Sequence, residues 1–101
     1  MSDPIIAPRA RADLDLIARY YADKNEAYSR KLLAEILSRG RLYARFSLMG
    51  EPWEELECGL RSYYVKPFVI MYRPAHDTIE IVRVLRGSRD IPSIMKEDDL
   101  R

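Results

Sequence analysis

Between Arg61 and Arg86 the chain carries three apolar, strand-like runs with almost no room between them. The runs are Arg61 to Lys66, Phe68 to Arg73 and Ile79 to Arg86. Pro67 separates the first two, and Pro74-Ala75-His76-Asp77 separates the second from the third. Links this short close hairpins and cannot carry a crossover, so an antiparallel sheet is expected. Strict alternation in the third run puts Ile79, Ile81, Arg83 and Leu85 on one side, and Glu80, Val82, Val84 and Arg86 on the other. Both sets are largely apolar, as suits a central strand covered on part of each face. Arg83 takes the place of an apolar residue in its set, and a buried charge there needs a partner.

Two helices are expected before the strands. Leu14, Ile17, Ala18 and Tyr21 recur at i, i+3, i+4 and i+7 and line one helix face. Asp13 and Asp15 fall in its early turns, where the helix dipole favours acids. Asp23-Lys24-Asn25 carries the stop, with Asn25 suited to a left-handed conformation. The second helix is expected from about Glu26 to about Arg45, with Leu33, Ile36 and Leu37 as its buried stripe, extended by Leu32 and Tyr28. The link between the helices is short, so they pack as an antiparallel hairpin. Gly40 inside the second helix marks a bend or a close backbone approach. Ile5-Ile6-Ala7 before Pro8 suits an edge strand. Phe46 to Pro52 breaks the period and is expected to be a loop. Ile91 to Arg101 is expected to form one helical turn after Pro92 and then fray.

A chain of 101 residues is one domain, spanning 1–101, with a thin core. Apolar content of 48% with 33% charged residues is that of a globular protein. A net charge of +1 gives no global electrostatic case for nucleic-acid binding. Cys58 and His76 are the only residues of their kinds, too few for a zinc cage or an internal disulfide. No metal or cofactor is expected. No apolar run is long enough to span a membrane, and no signal peptide opens the chain, so a cytoplasmic location is expected.

Several segments together resemble the ParE branch of the RelE/ParE toxin superfamily. They are Pro8-Arg9-Ala10-Arg11-Ala12-Asp13-Leu14 with Ile17 and Tyr20-Tyr21; Met49-Gly50; Gly59-Leu60-Arg61-Ser62-Tyr63; Phe68-Val69-Ile70-Met71-Tyr72-Arg73; and Ile79 to Leu85 with Gly87-Ser88-Arg89-Asp90. The resemblance implies an α+β fold of order β-α-α-β-β-β, a helical hairpin packed on a small twisted antiparallel sheet. The order of elements read from periodicity agrees with it. It further implies a type II toxin that inhibits DNA gyrase and is neutralised by a ParD-like antitoxin in a hetero-oligomer. The antitoxin's disordered part would fold over the toxin's helices and sheet.

The RelE branch shares the fold but cuts mRNA on the ribosome, which needs a base, a phosphate-binding cation and an acid. Here Phe68 stands where ribonuclease relatives often carry a basic residue, and His76 falls in a turn. Arg86 stands where many ParE-like sequences carry histidine, and arginine cannot act as a general base at neutral pH. No catalytic residue is therefore assigned. The alternatives are a RelE-like ribosome-dependent endoribonuclease and a non-toxic antitoxin-binding module. The residues proposed to meet antitoxin or gyrase are Arg61, Arg73, Arg83, Arg86, Arg89 and Trp53. Against this, the arginines are equally solvated strand residues or partners of Glu80 and the acidic cluster at Glu51, Glu54, Glu55 and Glu57. Arg89-Asp90 suits a local ion pair, and Trp53 suits a lid over the core edge. Ile91, Ile94 and Met95 form a candidate gyrase-facing element in the tail.

Overall fold

The computed structural model describes residues 3–99. Its elements are β1 (Ile5–Ile6), α1 (Pro8–Ala22), α2 (Glu26–Arg45), β2 (Glu51–Pro52), β3 (Arg61–Val65), β4 (Phe68–Ala75), β5 (Thr78–Arg86) and α3 (Ile91–Asp99). The strands form one sheet of order β1-β5-β4-β3-β2. The expected hairpin-on-sheet α+β architecture is present. The sheet is mixed rather than wholly antiparallel, because β1 pairs with β5 in parallel, Ile5 opposite Glu80 and Ile6 opposite Ile81. Glu51 and Pro52, expected in a loop, pair with Ser62 and Arg61 as a short edge strand. An edge strand this short has no alternation to show in sequence.

Pro8 opens α1 at a position where its missing N–H costs nothing. Asn25 does not end α1 in a left-handed conformation. Its backbone is extended (φ −164°), and its side chain accepts the N–H of Tyr28 at 3.0 Å, capping α2. The helices cross closely at Ser29, whose buried hydroxyl donates to the carbonyl of Ala18 at 3.0 Å. The buried stripe of α2 is Ser29, Leu32, Ile36 and Gly40. It is rotated from the expected Leu33, Ile36, Leu37 stripe, and Leu37 and Tyr28 are exposed. Gly40 is a site of close approach: an added Cβ would lie 3.0 Å from the hydroxyl of Tyr63 and 3.2 Å from Pro4.

The two faces of the sheet each hold a core. The hairpin face buries Tyr63, Val65, Phe68, Ile70, Tyr72, Ile79, Ile81 and Val84 against Ala10, Leu32 and Ile36. Each large aliphatic side chain buried here contributes on the order of 2 kcal/mol. The opposite face buries Leu60, Val69, Met71, Val82 and Leu85 against Ile91 and Met95 of α3. The tail therefore does not fray after one turn. Helix α3 runs nine residues and closes the second core, with residues 100 and 101 outside the described part.

One irregularity reassigns the faces of β5. The register with β4 slips between Met71 and Tyr72, so that Met71 faces Arg83 but Tyr72 faces Ile81. Val82 is the extra residue of a β-bulge, and the alternation changes phase across it. Ile79 and Ile81 face the hairpin before the bulge and Val84 after it, while Leu85 belongs to the opposite core. The expected Ile79/Ile81/Arg83/Leu85 face does not exist as one face.

Candidate partner-binding site

The bulge delivers Arg83 to α1. Its guanidinium forms a two-pronged pair with Asp13, Nε to Oδ2 at 2.8 Å and the second nitrogen to Oδ1 at 3.1 Å. Oδ2 also accepts the backbone N–H of Val84 at 2.9 Å. Both side chains are little exposed, 13% for Arg83 and 14% for Asp13. Asp13 thus serves the sheet edge rather than the helix dipole, and it supplies the partner that a charge at Arg83 needs.

β1 covers β5 only at Glu80 and Ile81, so the strand's last residues are an open edge. Gly87 donates to Pro67 at 2.9 Å, which makes Leu85 opposite Val69 a hydrogen-bonded pair. Val84 and Arg86 then point their backbone groups outward. The N–H of Val84 goes to Asp13, and the carbonyl of Arg86 accepts from Arg89 at 3.0 Å. The carbonyl of Val84 and the N–H of Arg86 remain aimed past the end of β1.

Between this edge and α1 lies an open groove of about 500 Å³. Its walls are Leu16, Ile17, Tyr20, Tyr21 and Phe68, and Arg86 and Arg89 stand on its β5 side. Leu16 and Tyr20 are more than half exposed. Tyr20, Tyr28 and Phe68 each set a ring edge-on to Tyr21. The guanidinium of Arg86 lies 5.6 Å from the Phe68 ring centre and donates to the Tyr21 hydroxyl at 3.3 Å. The groove offers apolar walls, two cations and two outward-facing backbone groups with no partner among the described residues. That set suits a peptide segment.

The other candidate residues lie elsewhere. Arg73 is clamped between Glu57 and Glu80, with its terminal nitrogens 3.0 and 3.1 Å from their carboxylates. The hydrogen bond from Arg73 holds the Glu57 carboxyl below its usual range, and the same contact raises the Arg73 guanidinium. Arg61 donates to the carbonyls of Leu48 and Gly50 at 2.9 and 2.8 Å. Trp53 donates to the Ser62 hydroxyl at 2.9 Å and packs on the second core, as expected of a lid. Asp90 turns to Ser93, accepting its hydroxyl at 2.9 Å, instead of pairing with Arg89. Ile91 and Met95 are buried, and Ile94 packs beside them. His76 is almost fully exposed in the β4–β5 turn, 3.3 Å from Asp77. Among the described residues no cluster of His, Cys, Asp and Glu is arranged to hold a metal ion.

A family model described as the ParE toxin of the type II toxin–antitoxin system matches residues 5–91. The chain belongs to the ParE toxin family. Among solved structures, this ParE-family chain is similar to one titled "Chromosomal ParDE TA system from P. aeruginosa". The TM-score is 0.69 at 22% identity, over 85% of this chain and 96% of that one. At that identity the likeness is one of fold. No curated protein sequence matches the chain. Among the described residues no helix is long and apolar enough to cross a membrane.

Of the sequence-derived candidates, the ParE fold brings Arg83, Arg86 and Arg89 together at the groove. It leaves Arg61, Arg73 and Trp53 in internal contacts. Asp13, Leu16, Tyr20 and Phe68 were missed as groove residues. Leu16 carried a signal: it is a large apolar residue lying off the buried stripe of α1.

Proposed function

We propose that the chain is a toxin that inhibits DNA gyrase by binding, and that a ParD-like antitoxin segment neutralises it by lying in the α1–β5 groove. The observation that carries the antitoxin assignment is the pairing of an apolar, aromatic groove with an open strand edge. A disordered segment gains side-chain burial from the first and main-chain hydrogen bonds from the second. Arg86 and Arg89 favour acidic residues on that segment.

Inhibition by binding rests on family membership and on the state of the ionisable groups in the groove. Asp13 is engaged by Arg83 and the Val84 N–H, and the arginine side chains offer hydrogen-bond donors but no acceptor. None is placed to take a proton from a ribose hydroxyl.

The test is plasmid supercoiling by purified gyrase with and without this protein, separating cleaved from relaxed DNA. Dose-dependent loss of supercoiling or accumulation of linear plasmid, reversed by the antitoxin, is expected. An unchanged topoisomer ladder from folded, growth-inhibiting protein would overturn the gyrase assignment and direct the search to mRNA cleavage on the ribosome.

A further inference from the structure

The turn between α2 and β2 presents its apolar side chains to solvent while its backbone is locked from beneath. Phe46 is 53% exposed, Leu48 71% and Met49 52%. Leu42, one helical turn before Phe46, is also exposed. Under them, the buried Tyr72 hydroxyl donates to the carbonyl of Ser47 at 2.8 Å and accepts the N–H of Gly50 at 3.0 Å. Arg61 donates to the carbonyls of Leu48 and Gly50. Two side chains reaching up from the sheet thus hold four backbone groups of a five-residue turn. Gly50 is needed for this approach, since a Cβ there would lie 2.3 Å from the Tyr72 oxygen and 2.7 Å from the Ser62 carbonyl.

A fixed backbone with outward apolar side chains adds little to the core of this chain. It does lower the ordering cost of an encounter, and clustered exposed apolar groups of this kind mark binding surfaces. The turn leads into β2, at the opposite end of the strand order from the open β5 edge. A segment seated in the groove therefore engages different residues. Arg45 flanks the turn, lying over the Phe46 ring at 5.6 Å, and forms no salt bridge among the described residues; Asp77 lines the hollow beside it, and Glu51 follows the turn in β2.

From these features we infer that the Phe46–Met49 turn, with Arg45 beside it, is the surface that docks on the inhibited protein target. The target would offer an apolar pocket with an acidic rim. This rests on the proposed toxin function and adds the face that performs it. Leu48 and Met49 enter the pocket as the contacts that exclude water, and Arg45 meets the rim.

The test compares wild type with the double variant Leu48→Asp/Met49→Asp and with Arg45→Glu. Each is scored for binding to immobilised purified gyrase, for plating efficiency on expression alone, and for thermal unfolding. All three positions are exposed, so the variants are expected to unfold within a few degrees of wild type. The double variant is expected to bind at least tenfold more weakly and to restore plating. Arg45→Glu is expected to weaken binding several-fold, with the difference shrinking at high salt. Variants that bind and inhibit like wild type would overturn the inference and leave the toxin function standing. A wild type that neither binds gyrase nor inhibits growth would overturn both. Loss of binding to a fluorescein-labelled DNA duplex instead, or loss of a dimer by light scattering, would overturn the assignment to a protein target.

Discussion

Asp13 and Arg83 stand seventy residues apart in sequence and join α1 to the bulge of β5 through a paired carboxylate and guanidinium. The same carboxylate closes the strand edge at Val84. One side chain therefore satisfies a nearly buried cation and an open-edge donor, and it sets the end of the groove.

Removing that carboxylate is expected to be costly. Asp13→Ala removes the two hydrogen bonds that its carboxylate accepts from Arg83 and the one it accepts from the Val84 N–H, and a loss of about 3 kcal/mol is expected. Arg83→Met should cost less, because Asp13 keeps the Val84 N–H. In a double-mutant cycle by urea unfolding the two losses should fall well short of adding. Additive losses would show that the pair is not coupled.

Tyr72 and Gly50 make a second test. Tyr72→Phe removes the acceptor of the Gly50 N–H and the donor to Ser47, and should cost about 1–3 kcal/mol. Gly50→Ala should cost at least as much. The Tyr72→Phe change would not rescue it, because the Ser62 carbonyl still lies 2.7 Å from the new Cβ. Thermal unfolding of the two single variants and the double variant checks this.

Glu57 and Arg73 predict an acid limb of stability. The folded Glu57 carboxyl titrates below its ordinary value of 4.5. Its unfolded form binds protons first as the pH falls, so the pair's stabilisation is present in full above that ordinary value. It is lost as the pH drops through the lowered folded value. Both side chains are partly exposed, so the effect is screened and modest. Denaturant midpoints measured from pH 3 to 7 should fall less steeply for Glu57→Gln than for wild type.

Tyr63 predicts an alkaline limb of the opposite sign. Burial is the main cause that raises its phenol above the ordinary value of 10.0, with Tyr43 and Tyr72 adding to it. Its hydroxyl donates to the carbonyl of Ile36 at 2.8 Å, a bond that needs the proton. The stabilisation is full below that ordinary value and is lost as the pH rises towards the folded one. Tyr63→Phe should lower stability at neutral pH and flatten the alkaline decline. Unfolding followed from pH 8 to 11 would show it.

The sequence by itself determined the parts of this protein that depend on near neighbours. The links at Pro67 and at Pro74 to Asp77 were too short for anything but hairpins. The apolar period before Asp23 built α1, and the one after Asn25 built α2. Those local rules also placed Arg83 as a charge in want of a partner. Tertiary structure decided what depends on residues distant in the chain. Alternation alone could not show that Val82 is an extra residue, because a bulge exists only relative to the partner strand. The buried stripe of α2 turned by part of a helical turn because Gly40 and Ser29 fit against Tyr63 and Ala18. The last nine-residue helix is held by the second sheet face, whose apolar residues β4 and β5 supply jointly with Leu60, Trp53 and Leu56. Short polar strands, side-chain partners and docked tails carry no period of their own, and only the folded arrangement of the whole chain assigns them.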